Sequence, residues 1–243
     1  MAFMVHENEK PILEQFRGVM GDLVEDERTL VRFLRARNLD IKKAENMLRK
    51  SVEWRGEKEI DAIKKWDIPS PVAKDFKVYY CGLDSDKRPV YLMPIGRWDG
   101  RKILGQGFKE EGVRFMYKTL ELIMDQCREL GVTQFRVIVD YAELSFWKVA
   151  HWDSIDNVIR VVKDFEANYP ETLFTAHFIN APSVFWQAFK AVKPLLAQNT
   201  MDKIHIFDSD KKKWGAHLLE LIPKEAIPKD YGGVAQAKEL HPI

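Results

Sequence analysis

An α/β fold in two parts is what this sequence predicts: a helical N-terminal subdomain, then a mixed, mostly parallel sheet. Three observations predict it. The first 60 or so residues repeat apolar side chains at helical spacing. Beyond about residue 76, short β-type runs alternate with amphipathic helical stretches, the order expected of an α/β domain. The composition, 46% hydrophobic and 31% charged over 243 residues, is that of a globular chain and excludes low-complexity and wholly disordered classes.

Pro11 suits a first helical position, and Ile12, Phe16, Met20 and Leu23 follow on one face. Leu30, Phe33 and Leu34 mark a second helix. Asp40 is placed to cap a third, with Ile41, Ala44, Met47, Leu48 and Val52 on its apolar side. Ile68-Pro69-Ser70-Pro71 reads as the turn that closes this subdomain. Residues 77–81 and 89–93 predict a hairpin around the polar segment 82–88. A long helix is expected over 110–130, with Met116, Leu120, Ile123 and Cys127 buried and Gly131 as its stop. Residues 134–140 read as a strand. A helix follows, centred on Ile155, Val158, Ile159 and Val162. A strand over 173–180, a helix over 183–196, a strand over 203–207 and a helix over 213–221 complete the alternation. The boundaries drawn are 1–72, 73–233 and a peripheral or disordered tail, 234–243.

Thirty-eight Lys and Arg against 37 Asp and Glu leave a formal charge of +1, which gives no basis for a nucleic-acid partner. The start of the chain has no apolar core of signal-peptide type, and no run approaches the roughly 20 residues that cross a bilayer. A cytoplasmic protein is expected. Cys81 and Cys127 read as reduced, buried thiols. There is no GxSxG and no P-loop, and the six histidines show no HExxH or HxxxH spacing. Gly105-Gln106-Gly107 reads as a loop before a helix. Asp140, at a strand end, has no identifiable catalytic partner. No enzyme and no metal site are expected.

The sequence carries an ordered set of short motifs: Arg32-Phe33-Leu34-Arg35-Ala36-Arg37, a helix ending at Trp54-Arg55, Asp84-Ser85-Asp86-Lys87-Arg88-Pro89-Val90-Tyr91, Asn168-Tyr169-Pro170-Glu171, Ile179-Asn180-Ala181-Pro182, Lys193-Pro194-Leu195-Leu196, Lys203-Ile204 and Tyr231-Gly232-Gly233. Order and spacing resemble the CRAL-TRIO lipid-binding and transfer family, and three of the segments resemble its animal tocopherol-associated branch. The resemblance implies a sheet flooring an apolar cavity, closed by a mobile helix. It implies a bound lipid in place of a cofactor and transient contact with membranes. Shielding a chain of ~16 carbons, at about 0.8 kcal/mol per CH₂, is worth on the order of 13 kcal/mol, and needs no chemical step.

Carried over residue by residue, the resemblance places a phosphatidylinositol headgroup at Arg37, Glu171, Thr200 and Lys203. Arg37 and Lys203 suit phosphate, Glu171 suits inositol hydroxyls, and the Thr200 hydroxyl suits either. An Arg37–Glu171 ion pair between subdomains is the competing structural use. Where phosphatidylcholine-binding members carry two hydroxyl residues, this chain has Phe135 and Val137. Those favour an apolar ligand such as a tocopherol, a retinoid or a squalene-like isoprenoid. Thr172 stands where the family pattern has Arg. Phe115, Phe135, Val137, Val139 and Phe178 are expected to line the cavity. Val184, Phe185, Trp186, Phe189, Val192 and Leu196 are expected on the gate helix, with Lys190 and Lys193 meeting lipid phosphates. The Lys211–Lys213 run is read first as a solvated helix start. The expected protein is a monomer that carries lipid between membranes. The alternative is a sensor that presents its ligand state to a lipid kinase or another protein.

Overall fold

The computed structural model describes residues 3–149 and 151–242. Three helices open the chain: α1 (Lys10–Met20), α2 (Glu27–Arg35) and α3 (Ile41–Glu57). Pro11 stands in the first turn of α1. The Asp26 side chain caps α2 by accepting from the Thr29 amide, and Asp40 caps α3 by accepting from Lys43. The apolar stripes of the three meet in a buried cluster that includes Phe16, Met20, Leu30, Phe33, Leu34 and Leu48. Leu23 lies past the end of α1 and is exposed. The turn-rich closure contains a short helix, α4 (Ser70–Asp75), with Pro71 in its first turn.

The sheet has six strands: β1 (Tyr79–Leu83), β2 (Pro89–Met93), β3 (Phe135–Asp140), β4 (Leu173–Ile179), β5 (Ile204–Ile206) and β6 (Lys238–Glu239). Their order is β5-β4-β3-β2-β1-β6. Strands β2 to β5 run parallel, β1 is antiparallel to β2, and β6 is antiparallel to β1. Helices α5 (Gly100–Gly105) and α6 (Lys109–Glu129) join β2 to β3. Then α7 (Phe146–Val149) and α8 (Trp152–Asn168) join β3 to β4, and α9 (Phe185–Val192) and α10 (Gln198–Met201) join β4 to β5. A last helix, α11 (Lys211–Leu221), follows β5.

The two-residue period of β3 sorts its side chains between two faces, and the strand is buried along its whole length. Phe135, Val137 and Val139 join Tyr91, Met93 and Ala176 beneath Phe115, Leu120, Ile123 and Cys127 of α6. Ile138 joins Val90, Leu92 and Ile179 on the opposite face, under Trp214 and Leu218 of α11 and the segment 222–231. The two free cysteines fall one to each face. Burial pushes both thiols up to about 12, so they are inert packing groups.

Two expectations need correction. The tail is neither peripheral nor disordered. Backbone pairing of Lys238 and Glu239 with Tyr80 and Tyr79 covers the open edge of β1, and His241 is buried against Phe115 and Thr119. The helix expected over 183–196 is cut: α9 stops at Val192, and Pro194, which has no N–H, sits in a separate 3₁₀ turn over Lys193–Leu195.

Candidate functional site

Several motif residues form a seam between the N-terminal helices and the sheet domain. Arg32, on α2, donates to the Pro170 carbonyl at 3.3 Å and to the Thr29 hydroxyl. Arg55, near the end of α3, makes a two-pronged contact with Glu121 of α6, both distances 3.0 Å. Tyr169 donates to the same carboxylate at 2.8 Å. Trp54 stacks edge-on against Tyr117 and Tyr169. Together these contacts lock the N-terminal helices to α6 and to the turn before β4. A groove of about 720 Å³, of mixed polar and apolar lining, runs along this seam, bordered by Arg28, Arg32, Arg55, Glu121, Val52 and Met124 among others.

That turn carries Glu171. Its backbone is left-handed, φ 57°, and its carboxylate accepts from Lys203 Nζ at 3.2 Å and from Asn199 Nδ2 at 2.5 Å. Lys203 in turn donates its amide to the Thr200 carbonyl at 3.1 Å. Glu171 and Lys203, 32 residues apart, therefore form one local cluster with Asn199, and Thr200 joins it through its backbone carbonyl. Arg37 is exposed and donates to the Ala36 carbonyl at 2.8 Å. Among the described residues it makes no ion pair with Glu171. The neighbouring Arg35 is held by Glu9 through two hydrogen bonds, 2.7 and 2.8 Å. Asn199 is the member of the cluster that sequence reading missed; nothing in its local pattern marks it. Thr172 is fully buried and donates to the Tyr169 carbonyl, so its place is inside the turn.

The expected gate residues divide by exposure. Phe185 and Phe189 are buried with Ala181 against Tyr141, Leu144, Phe178, Leu196, Met201 and Ile206. Val184 and Val192 are half-buried, Trp186 is 48% exposed, and Lys190 and Lys193 are exposed. Helix α9 thus lies over the end of the sheet where β4 and β5 finish. Phe178 joins this cluster to the main core, where Phe135, Val137 and Val139 pack beneath α6. Phe115 is fully buried, against Phe76, Trp98 and His241.

Asp140 is a structural clamp. It accepts from the Tyr231 hydroxyl at 2.7 Å, Asn180 Nδ2 at 2.8 Å and the Ala142 amide at 2.8 Å. Asn180 also accepts from the Trp214 indole. The two glycines after Tyr231 keep that hydroxyl in place. Gly232 has φ +96°, and a Cβ on Gly233 would meet the Ile227 carbonyl oxygen at 2.0 Å. Gly233→Ala is therefore expected to destabilise the fold by about 2 kcal/mol or more, since backbone, not a rotamer, must yield. A urea midpoint equal to that of the wild type would contradict the tight approach. Among the described residues, no three His, Cys, Asp or Glu side chains converge to hold a metal, and no helix is long and apolar enough to cross a membrane.

Comparison with known proteins adds three findings. Residues 73–233 match the family described as the CRAL/TRIO domain, and residues 7–50 match the CRAL/TRIO N-terminal domain. The chain is 30% identical over 222 residues to the Arabidopsis thaliana phosphatidylinositol/phosphatidylcholine transfer protein SFH9. That match covers 86% of this chain and 37% of the relative, so the chain spans well under half of that protein's length. The fold is similar to the crystal structure of Sfh5, with a TM-score of 0.74 at 17% identity over 88% of this chain and 85% of that one.

Proposed function

The chain belongs to the CRAL/TRIO family, and from that premise we propose that it takes one lipid from a membrane, shields it beneath α9 and transfers it, without catalysis. One observation carries the reading: residues 171–206 bring together a polar cluster and an apolar cover. Glu171, Thr200 and Lys203 offer an acceptor, a hydroxyl and a cation at the protein surface. Phe185 and Phe189 seal the apolar floor at Phe178 and Ile206 close by in the chain. Phosphatidylinositol suits the polar cluster, with exposed Arg37 as a second cation for its phosphate. Phe135 and Val137 offer no hydrogen-bonding group to a second headgroup, which favours an isoprenoid-type ligand such as a tocopherol or retinoid over phosphatidylcholine in the floor. Opening requires α9 to leave Phe178 and Ile206, and acyl chains that reach Phe135, Val137 and Val139 require α6 to yield as well, since those three pack beneath it. The protein works as a monomer at the cytoplasmic face of membranes, and the boundaries after residues 72 and 233 belong to the same reading.

Native mass spectrometry of the purified protein is expected to find a phospholipid or an isoprenoid. In a vesicle-to-vesicle assay, Glu171→Ala combined with Lys203→Ala is expected to reduce phosphatidylinositol transfer at least tenfold and to spare an apolar ligand. Equal loss of both ligands would make the pair structural. No transfer of either lipid by the wild type would remove the carrier function, and ligand-dependent capture of a lipid kinase would then favour a sensor.

A further inference from the structure

The most exposed large apolar side chains among the described residues lie outside α9. Trp152 is 84% exposed and Trp147 69%, with Phe146 at 55%. All three fall within residues 146–152, on the connection formed by α7 and the start of α8. Phe146 and Trp147 touch only edge to face, at 5.7 Å between ring centroids, and neither joins a core cluster. Isolated exposed apolar residues are common, but three such aromatic rings within seven residues are a concentration that water disfavours.

The position of these rings is informative. Tyr141 and Leu144, just before α7, pack with Phe185 and Phe189 of α9. The exposed rings of α7 follow that contact directly in the chain, and Trp186, 48% exposed, stands on α9 against Phe185 and Phe189. Asp153 and Asp156, beside Trp152, are both paired to Lys109, at 2.9 and 3.3 Å. Glu143 is paired to Arg97 at 3.2 Å. Lys190 and Lys193 are exposed and have no acidic partner among the described residues. Lys109 offsets one of the two aspartates and Arg97 offsets Glu143; Lys148 of α7, which donates to the Gly96 and Glu143 carbonyls, balances the remaining negative charge, so Lys190 and Lys193 leave the sum positive.

We propose that Phe146, Trp147 and Trp152 form a membrane anchor, distinct from the gate helix, that seats the protein in the interfacial zone of an anionic bilayer. The proposal rests on the lipid-carrier reading for its purpose, though not for its geometry. Indole rings favour the headgroup level, where the ring meets acyl chain and the N–H meets carbonyl or water. Basic side chains next to them gain from an anionic surface. Protruding rings suit a fluid surface that reshapes around them, whereas a protein partner would need a groove already cut to their outline. Anchored there, α9 would lie next to the bilayer before it opens.

The test uses the whole chain and vesicles of phosphatidylcholine, with or without phosphatidylserine. Trp147→Ser combined with Trp152→Ser is expected to lower co-sedimentation with both vesicle types at least tenfold. Lys190→Ala with Lys193→Ala should weaken binding only where phosphatidylserine is present. Both rings being exposed, the thermal midpoint should not move. Binding of a soluble short-chain phosphatidylinositol should persist in the tryptophan variant, while its vesicle-to-vesicle transfer falls. Undiminished vesicle binding by the tryptophan variant overturns the anchor, as does a wild type that ignores both vesicle types. A wild type that binds vesicles through these rings yet never acquires lipid would leave the anchor standing and remove the carrier function.

Discussion

Asp84→Asn is expected to destabilise the protein by about 3 kcal/mol, the scale for breaking a buried ion pair from one side. Asp84 is 5% exposed, in the turn between β1 and β2. Its Oδ1 accepts the amides of Asp86 and Arg88, both at 2.9 Å, and its Oδ2 accepts Arg88 Nη1 at 3.0 Å and Arg136 Nε at 2.6 Å. Burial by itself raises the carboxyl pKa; the hydrogen bonds from Arg136 and Arg88 outweigh it and hold the group below the usual carboxylate range. The register of β3 on β4 shifts between Phe135 and Arg136, which sets Phe174 out of the ladder. Both guanidinium groups lie over that ring, 3.6 Å away for Arg88 and 4.4 Å for Arg136. Asparagine keeps an acceptor for the two amides and removes the charge. Arg88 retains Asp86, at 2.8 Å, but Arg136 is left with the Thr175 hydroxyl and a ring face.

The expected reading is a lower urea midpoint with an unchanged slope. A double cycle with Arg136→Met should recover much of the loss, because the orphaned cation is then gone. A change under about 1 kcal/mol would mean that Phe174 and water solvate Arg136 well enough without the carboxylate. The network sits where β2, β3 and β4 begin, and α9 covers the sheet where β4 and β5 end. Lipid preference in the surviving folded fraction should therefore stay unchanged.

The contrast between these two ends of the sheet explains what could be read from the sequence. Helices α1, α2, α3, α6 and α8 and strands β2 to β5 were legible because each repeats its apolar residues at its own period over several residues. Helices α4, α5 and α7 are too short to display a period. Strand β6 has none to display: Lys238 and Glu239 pair through backbone alone. The motif residues were legible as a set, but most of their roles were not. Tyr169, Arg55 and Glu121 meet across 48 to 66 residues of chain, and Arg32 reaches Pro170 across 138. No local pattern encodes such a contact. Trp54, Tyr117 and Tyr169, remote from one another in sequence, pack their rings together in this seam. Glu171 and Lys203, which the structure pairs, each stand in a motif, whereas Asn199, which bonds to the same carboxylate, does not.

Stability is expected to fall as pH drops below about 6.5, and the cause is a group of histidines outside the proposed lipid site. His177 on β4 is fully buried and stacks on His205 of β5, with ring centroids 5.4 Å apart. His217 of α11 meets both rings, at 5.2 and 4.8 Å, and Phe207 closes its other side. Among the described residues His177 Nδ1 and His217 Nε2 have no hydrogen-bond partner. Burial, then the positive potential of His217, His205 and Arg136, pulls His177 down to about 3. Burial, then Lys118 and Lys77, pulls His241 down to about 4. The sign follows from linkage. Above pH 6.5 both rings are neutral folded and unfolded, and stability is complete. Below it the unfolded chain takes up protons that the folded chain refuses, so stability falls until the folded pKa values are reached. Between pH 6.5 and 5 each ring should withdraw about 2 kcal/mol. Carboxylates such as Asp84, held low, remain ionised throughout that interval and add nothing to the slope. Urea unfolding at pH 7.5, 6.5 and 5 measures the effect. His177→Phe keeps a ring in the stack and should remove about half of the slope, and His241→Gln most of the remainder. Parallel pH profiles for wild type and both variants would mean that the rings take up protons in the folded state, and that α11 lifts from β4 and β5 to let them.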